Sequence, residues 1–146
     1  MIVISMLHFD PGTLEQLRLH GERTYPNECC GVLLGIREGN RVRVEVAVEC
    51  GNARHDSAAA RYEIDPREVV RIQRHGRERG LEIVGFYHSH PDHPAQPSIT
   101  DLRDAHWTGL SYVITSVLKG RASNTQSFIL LGDEDHKRFE PETIST

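Results

Sequence analysis

The sequence predicts an α/β or α+β domain built on a mixed β-sheet flanked by helices. Three observations carry that expectation. Asp10-Pro11 and Asp65-Pro66 each precede a helical pattern, with Asp as N-cap and Pro at the first helical position. Short apolar or alternating runs at residues 31–35, 41–49 and 82–88 read as strands. Helices and strands follow one another without a regular βαβ repeat, so a wholly parallel sheet is not expected.

Each element has its own warrant. In the first helix Leu14, Leu17 and Gly21 share a face, and the helix should stop before Pro26. Residues 31–35, Gly-Val-Leu-Leu-Gly, suit a buried strand. Residues 41–49 alternate strictly, which predicts Val42, Val44, Val46 and Val48 on one face. Glu38-Gly39-Asn40 before them suits a hairpin turn. A polar Gly/Asn/Ala-rich loop follows Cys50. The second helix opens at Asp65, with Glu68 placed for a capping box and Gly80 as its stop. It should carry Val69, Val70 and Ile72 inward and Arg71, Arg74 and Arg77 outward. Residues 82–88 read as a central strand, Ser98-Ile-Thr-Asp101 opens a third helix, and strands follow at 112–117 and 128–131.

With 146 residues and neither repeat nor linker, residues 1–146 are expected to form a single domain. Hydrophobic residues at 38% and charged residues at 26% fit neither a disordered nor a membrane chain. No apolar run approaches the roughly 20 residues of a membrane-spanning helix. The start, MIVISMLHFD, lacks the basic residues and cleavage site of a signal peptide. A net charge of −4 argues against nucleic acid as the partner. Cys29, Cys30 and Cys50 do not form a disulfide framework, and a reducing cytoplasm is the expected location. Nine histidines is the unusual count, and it raises the question of a shared metal.

The informative segment is His88-Ser-His-Pro-Asp-His-Pro-Ala-Gln-Pro-Ser98-Ile-Thr-Asp101. Two positions apart at a strand end, His88 and His90 project from one face with Cα atoms about 7 Å apart. Both imidazoles can reach one ion at zinc–nitrogen distances of roughly 2.0–2.1 Å. Pro91, Pro94 and Pro97 stiffen a loop that returns the chain, and Asp101 arrives in the next helix's first turn as a possible oxygen ligand. Two histidines and one aspartate leave a tetrahedral position open, as catalytic zinc sites do. Alone, His-x-His usually means nothing, and Ser98-x-x-Asp101 is a helix cap. Their combination in this order is what points to metal chemistry. Zinc is favoured, with iron or manganese left open.

The same residues resemble the JAMM, or MPN-plus (Mov34/MPN/PAD-1), zinc metalloprotease family. The spacing His88-x-His90, seven residues, Ser98, two residues, Asp101 is intact, and Glu28 in Tyr25-Pro-Asn-Glu-Cys-Cys-Gly-Val-Leu-Leu-Gly35 matches the family's upstream glutamate. Residues 85–91 and Arg61-Tyr-Glu-Ile-Asp-Pro66 are similar to its small prokaryotic members, of the sulfur-carrier-protein–cysteine peptidase type. The resemblance implies a cytidine-deaminase-like fold with zinc at the sheet's edge, and hydrolysis of a peptide or isopeptide bond. It implies His88, His90 and Asp101 as ligands of one zinc per chain, Glu28 as acid/base and Ser98 as an oxyanion donor. A carboxylate beside a metal-activated water can take its proton and pass it to the departing amine. The implied substrate is a ubiquitin-like sulfur carrier, or its conjugate, ending in Gly-Gly, its tail laid along a sheet edge by main-chain hydrogen bonds. A non-catalytic MPN-type protein-binding scaffold is the alternative.

Other readings stay plain. A zinc deaminase would need His-x-Glu and Pro-Cys-x-x-Cys, which this chain lacks. Cys29 and Cys30 read as buried small hydrophobes rather than nucleophiles. His93 and His106 read as polar loop or helix-face residues near the motif, and His8, His20, His55, His75 and His136 as surface positions. The arginines from Arg71 to Arg79 suit a wet helix face, and Trp107 core or interface packing. Substrate identity and oligomeric state are not legible.

Overall fold

The computed structural model describes residues 5–54 and 58–146. Its elements are β1 (Met6–Phe9), α1 (Pro11–Thr24), β2 (Cys30–Glu38), β3 (Arg41–Cys50), α2 (Pro66–Glu78), β4 (Glu82–Pro91), α3 (Ile99–Asp104), β5 (Ser111–Leu118), β6 (Arg121–Leu131) and β7 (Arg138–Ser145). The strands join in the order β1-β3-β2-β4-β5-β6-β7 and close on themselves. The β1–β3, β1–β7 and β4–β5 pairs are parallel and the others antiparallel, so the mixed sheet with helices is present.

Closure was not expected: β1 is too short for its Leu7/Phe9 alternation to stand out, and β7 carries no buried apolar residue. β1 is four residues long, and the one buried residue of β7 is Glu142, where alternation would call for an apolar side chain. Glu142 is accommodated because Ser5, Ser111 and Ser127 all donate hydroxyl hydrogen bonds to it. A fully paired carboxylate replaces the apolar residue at the seam.

The helices cover opposite faces. Leu17 of α1 packs with Leu7, Phe9, Leu33, Val44 and Tyr87 in one core cluster. Ile72 of α2 packs with Cys30, Val32, Leu34, Phe86 and Tyr112 in the other. Asp10 caps α1 through the Gly12 N–H, as expected. His20 is not a surface residue. It lies beside Gly21 on the buried face, its Nδ1 2.8 Å from the Tyr87 hydroxyl, which needs a partner in an apolar core. His8 is half-buried, with Nδ1 2.9 Å from Ser145 Oγ. His75 and His136 are exposed, and His55 lies outside the described residues.

Three further expectations change. Val42 and Val44 face the α1 side, but Val46 and Val48 face the α2 side. A β-bulge is the reason: Gly35 pairs with Val44 and Leu34 with Val46, so Glu45 is an extra residue that inverts the alternation. Val70 is 50% exposed. It sits about 100° around the helix from Val69, off the stripe formed by Val69, Ile72 and Gly76. No capping box forms at Asp65: its carboxylate accepts from Arg67 N–H, while Glu68 stands near the Cys50 thiol, whose Sγ is 3.6 Å from the Val48 carbonyl. Arg71, Arg74, Arg77 and Arg79 are exposed as expected.

Candidate active site

β4 is the central strand, hydrogen-bonded to β2 on one side and β5 on the other. His88 and His90 are buried on its α2 face. Closure leaves no edge strand, so the pair stands at the C-terminal end of an interior strand, not at a sheet edge.

The loop after β4 is held by more than its prolines. Asp92 adopts φ 58°, a region that Asp tolerates, and takes hydrogen bonds from Lys119 N–H and the Tyr25 hydroxyl. Ser116 donates to the His93 carbonyl at 2.6 Å. Pro94 then presents its carbonyl to His90 Nδ1 at 2.9 Å. A carbonyl only accepts, so Nδ1 carries the proton and Nε2 turns a lone pair inward.

Asp101 meets that lone pair. Ser98 and Asp101 form a reciprocal capping box: Ser98 Oγ accepts from Asp101 N–H at 2.9 Å, and Ser98 N–H donates to Asp101 Oδ2 at 2.9 Å. The same Oδ2 lies 3.0 Å from His90 Nε2 and 3.2 Å from His88 Nε2, and the two Nε2 atoms are 3.2 Å apart. Ligands at 2.0–2.1 Å around a tetrahedral ion stand about 3.3 Å from one another, so the triangle has the size that zinc requires. Three electron-pair donors converging in a buried site repel unless a cation lies between them, and this donor set of two imidazoles and a carboxylate suits zinc. Among the described residues it is the only group of three that could hold a metal.

The surroundings tune these groups. Burial pulls His88 below its ordinary pKa. Burial acts the same way on His90, but Asp101 and the Pro94 carbonyl outweigh it and the net shift is upward. Burial alone would raise Asp101; His88, His90 and the Ser98 N–H instead hold it well below the usual carboxylate range. The Tyr62 ring stacks on His88 at 4.4 Å between centroids and 22° between planes.

Glu28 approaches from β2. Cys30 pairs with His88, and the Ser89 N–H bonds the Cys29 carbonyl, so the antiparallel register carried one step further sets Glu28 opposite His90. Alternation from Cys30 turns it to the same face as the histidines. Its Oε1 is buried without a hydrogen-bond partner. Burial pushes its pKa up to about 8, with His90 lowering it and Asp101 raising it. It stands outside the group of three ligands.

All five residues singled out in the sequence therefore meet at one place. His93 and His106 are exposed: the His93 N–H reaches the His90 carbonyl at 3.5 Å, and His106 Nδ1 stands 3.7 Å from Glu134 Oε1. The three cysteines are free and buried. Burial raises Cys29 to about 11 and Cys50 to about 12, which rules out a reactive thiolate at neutral pH.

Two cavities flank the site. One, of about 570 Å3, has Tyr62, Phe86 and Tyr112 at its floor, and Val70 and Trp107 among its walls. Trp107 is 39% exposed there and rests on Phe86 with centroids 5.4 Å apart, rather than entering the core. The other, of about 480 Å3, is lined by Glu28, Asn27, Asn52 and Arg54. Sequence reasoning missed Tyr62. Tyr62 belongs to the Arg61-Tyr-Glu-Ile motif, but only the fold shows that it stacks on a histidine.

Residues 10–130 match the family described as prokaryotic homologs of the JAB domain. The chain is 41% identical over 91 residues to a desampylase of Haloferax volcanii, which covers 62% of this chain and 63% of that protein. It is 35% identical over 109 residues to a probable TtuB-protein conjugate cleaving protease of Thermus thermophilus, covering 75% and 69%. It is 34% identical over 97 residues to a CysO-cysteine peptidase of Mycobacterium tuberculosis, covering 66% and 64%. The chain thus spans just under two thirds of the length of the first and third of these relatives. A protein of Desulfitobacterium hafniense with a known solution structure has a TM-score of 0.79 and 30% identity, over 96% of this chain and 93% of that one.

Proposed function

The chain belongs to the family of prokaryotic homologs of the JAB domain, and from that membership we propose that it is a zinc-dependent metallopeptidase. Its bond is the peptide or isopeptide bond after the C-terminal Gly-Gly of a ubiquitin-like sulfur-carrier protein. The observation that carries this reading is the triangle of His88 Nε2, His90 Nε2 and Asp101 Oδ2, with sides of 3.0 to 3.2 Å, beside the Glu28 carboxyl, whose buried Oε1 has no hydrogen-bond partner. The relatives' names supply the substrate class, a carrier protein joined to cysteine or to another protein.

His88, His90 and Asp101 would hold the ion. Zinc held there supplies an acidified water and a Lewis acid for the scissile carbonyl. Glu28 takes a proton at its carboxylate and returns it to the departing nitrogen. Burial without a partner raises its affinity for a proton, which favours the uptake, and the charge of a bound zinc would act in the opposite sense, which favours the release. Ser98 uses an Oγ lone pair to cap α3, which leaves its hydroxyl proton for the developing oxyanion. Pro94 and Tyr62 orient His90 and His88. A non-catalytic scaffold would have no use for a buried, unpaired Glu28, so that alternative is not favoured.

The finer structural readings belong here as well. We take residues 1–146 as one domain, and the closed mixed sheet with α1 and α2 on its faces as a fold similar to that of cytidine deaminases. Among the described residues no helix is long and apolar enough to cross a membrane. Three free cysteines fit activity in a reducing cytoplasm.

The test is cleavage by the zinc-loaded protein of a carrier ending in Gly-Gly-Cys and of its Gly-Val-Cys counterpart. Cysteine release after the second glycine, much slower after valine, is expected, since a side chain there would crowd the approach to the ligands. Equal rates, or activity confined to unrelated unfolded peptides, would refute the substrate assignment.

A further inference from the structure

Glu28 lies outside every regular element. α1 ends at Thr24 and β2 begins at Cys30, so the carboxyl is carried on the connection between them. An acid/base group on a loop keeps its geometry only if other residues fix that loop. Two ties do so here, and they reach the chain on either side of His90. Downstream of Glu28, Cys29 N–H donates to Ser89 Oγ at 2.8 Å, and the Cys29 carbonyl accepts from Ser89 N–H at 3.2 Å. Upstream, the Tyr25 hydroxyl donates to Asp92 Oδ2. We propose that Tyr25 is a positioning residue for the reaction, setting the Glu28 carboxyl against the histidine pair through its bond to Asp92. This rests on the peptidase reading above.

Both ends of the Tyr25 tie are anchored. Asp92 N–H donates to the Val117 carbonyl at 2.7 Å, and Asp92 Oδ1 accepts from Lys119 N–H at 2.8 Å. Asp92 is thereby seated on the end of β5 and the turn after it, and β5 pairs with β4 through Ser116 and His90. The Tyr25 ring stands against the same turn, since a Cβ on Gly120 would meet Tyr25 Cδ1 at 3.8 Å. On the other side, Asn27 N–H donates to the Thr24 carbonyl at 2.9 Å, which closes residues 24–27 into one turn. Tyr25 and Asn27 are held as one piece, and Glu28 follows directly.

The carboxyl depends on this support more than the ligands do. No hydrogen bond holds its buried Oε1, so the place of that oxygen follows the backbone. His88 and His90 stand on a paired strand, and Asp101 is oriented by Ser98. Without the Tyr25 hydroxyl, Asp92 would still keep its bonds to Val117 and Lys119, so the loop between the ligands stays in place. Losing the tie therefore displaces the proton carrier and spares the ligand triangle. A misplacement of about 1 Å costs up to about a hundredfold in rate.

The test sets Tyr25→Phe, which removes one oxygen, beside Asp92→Asn, whose side chain tolerates the same φ and can donate to the phenol oxygen. On the Gly-Gly-Cys carrier, Tyr25→Phe should lower kcat by about tenfold to a hundredfold, with KM and zinc affinity within about twofold of wild type. Asp92→Asn should stay within a few-fold of wild type throughout. In the metal-free protein, the Asn27 and Glu28 amide hydrogens should exchange about tenfold faster in Tyr25→Phe than in the other two. A wild-type kcat in Tyr25→Phe would overturn the proposal. So would exchange at Asn27 and Glu28 no faster than in wild type, a matching loss of zinc affinity, or an equal kcat loss in Asp92→Asn. Failure of the zinc-loaded wild-type protein to cleave the carrier would overturn the peptidase reading and this inference with it.

Discussion

Ser98 and Asp101 exchange hydrogen bonds so that one oxygen, Asp101 Oδ2, both accepts the Ser98 N–H and faces the two histidines. A helix cap and a metal ligand are thus made from the same atoms, and α3, only six residues long, is aimed by its first turn.

Ser98→Ala should therefore show two separable effects. Loss of the cap should cost about 0.5–2 kcal/mol in denaturant unfolding. Loss of the hydroxyl proton should lower kcat by about 10²–10³-fold. Ser98→Thr should recover most of both. A kcat unchanged in Ser98→Ala would confine this residue to capping.

Glu28→Gln should fold normally and lose turnover by at least about 10²-fold, since the amide has nearly the same shape and cannot take the proton. Steady-state kinetics on the Gly-Gly-Cys carrier reads this directly. Activity within a few-fold of wild type would remove Glu28 from the chemistry.

The buried His20 gives the stability a pH dependence of known sign. Burial lowers its pKa in the folded state, although Glu49 acts in the opposite sense. The unfolded chain takes up a proton near the ordinary histidine value of 6.5 while the folded protein resists it. The contribution of neutral His20 is complete above that pH and is lost as pH falls below it, through the lowered folded value. Urea unfolding of the metal-free protein should accordingly weaken more steeply below pH 6.5 in wild type than in His20→Gln. Parallel curves would contradict the assignment.

Thiol labelling offers a check on the core. With Cys29 raised to about 11 and Cys50 to about 12, iodoacetamide at pH 8 should leave the native chain almost unmodified and label it fully in urea. Rapid native labelling would mean that the β2–β3 end opens readily.

How much of this was legible in the sequence depends on the range of the interactions involved. The His88, His90 and Asp101 cluster was readable because strand period and helix capping are local rules acting within fourteen residues. Glu28 was readable only through the family resemblance, since its place opposite His90 depends on β2 pairing with β4. Val46 and Val48 went to the wrong face because nothing local marks the extra Glu45. β7 was invisible because its buried residue is Glu142, which takes hydrogen bonds from three serines of other segments. Tyr62 gains its role by stacking on His88, a contact between separate segments that no periodicity reports.

Metal content measured on four purified proteins side by side tests the central assignment most directly. With three ligands and no redundancy, wild type and Glu28→Gln should each carry close to one zinc per chain, and His88→Ala and Asp101→Asn should carry almost none at micromolar chelator. Stoichiometric zinc in both ligand variants, or loss of zinc in Glu28→Gln, would contradict a site made by His88, His90 and Asp101 with Glu28 standing outside it.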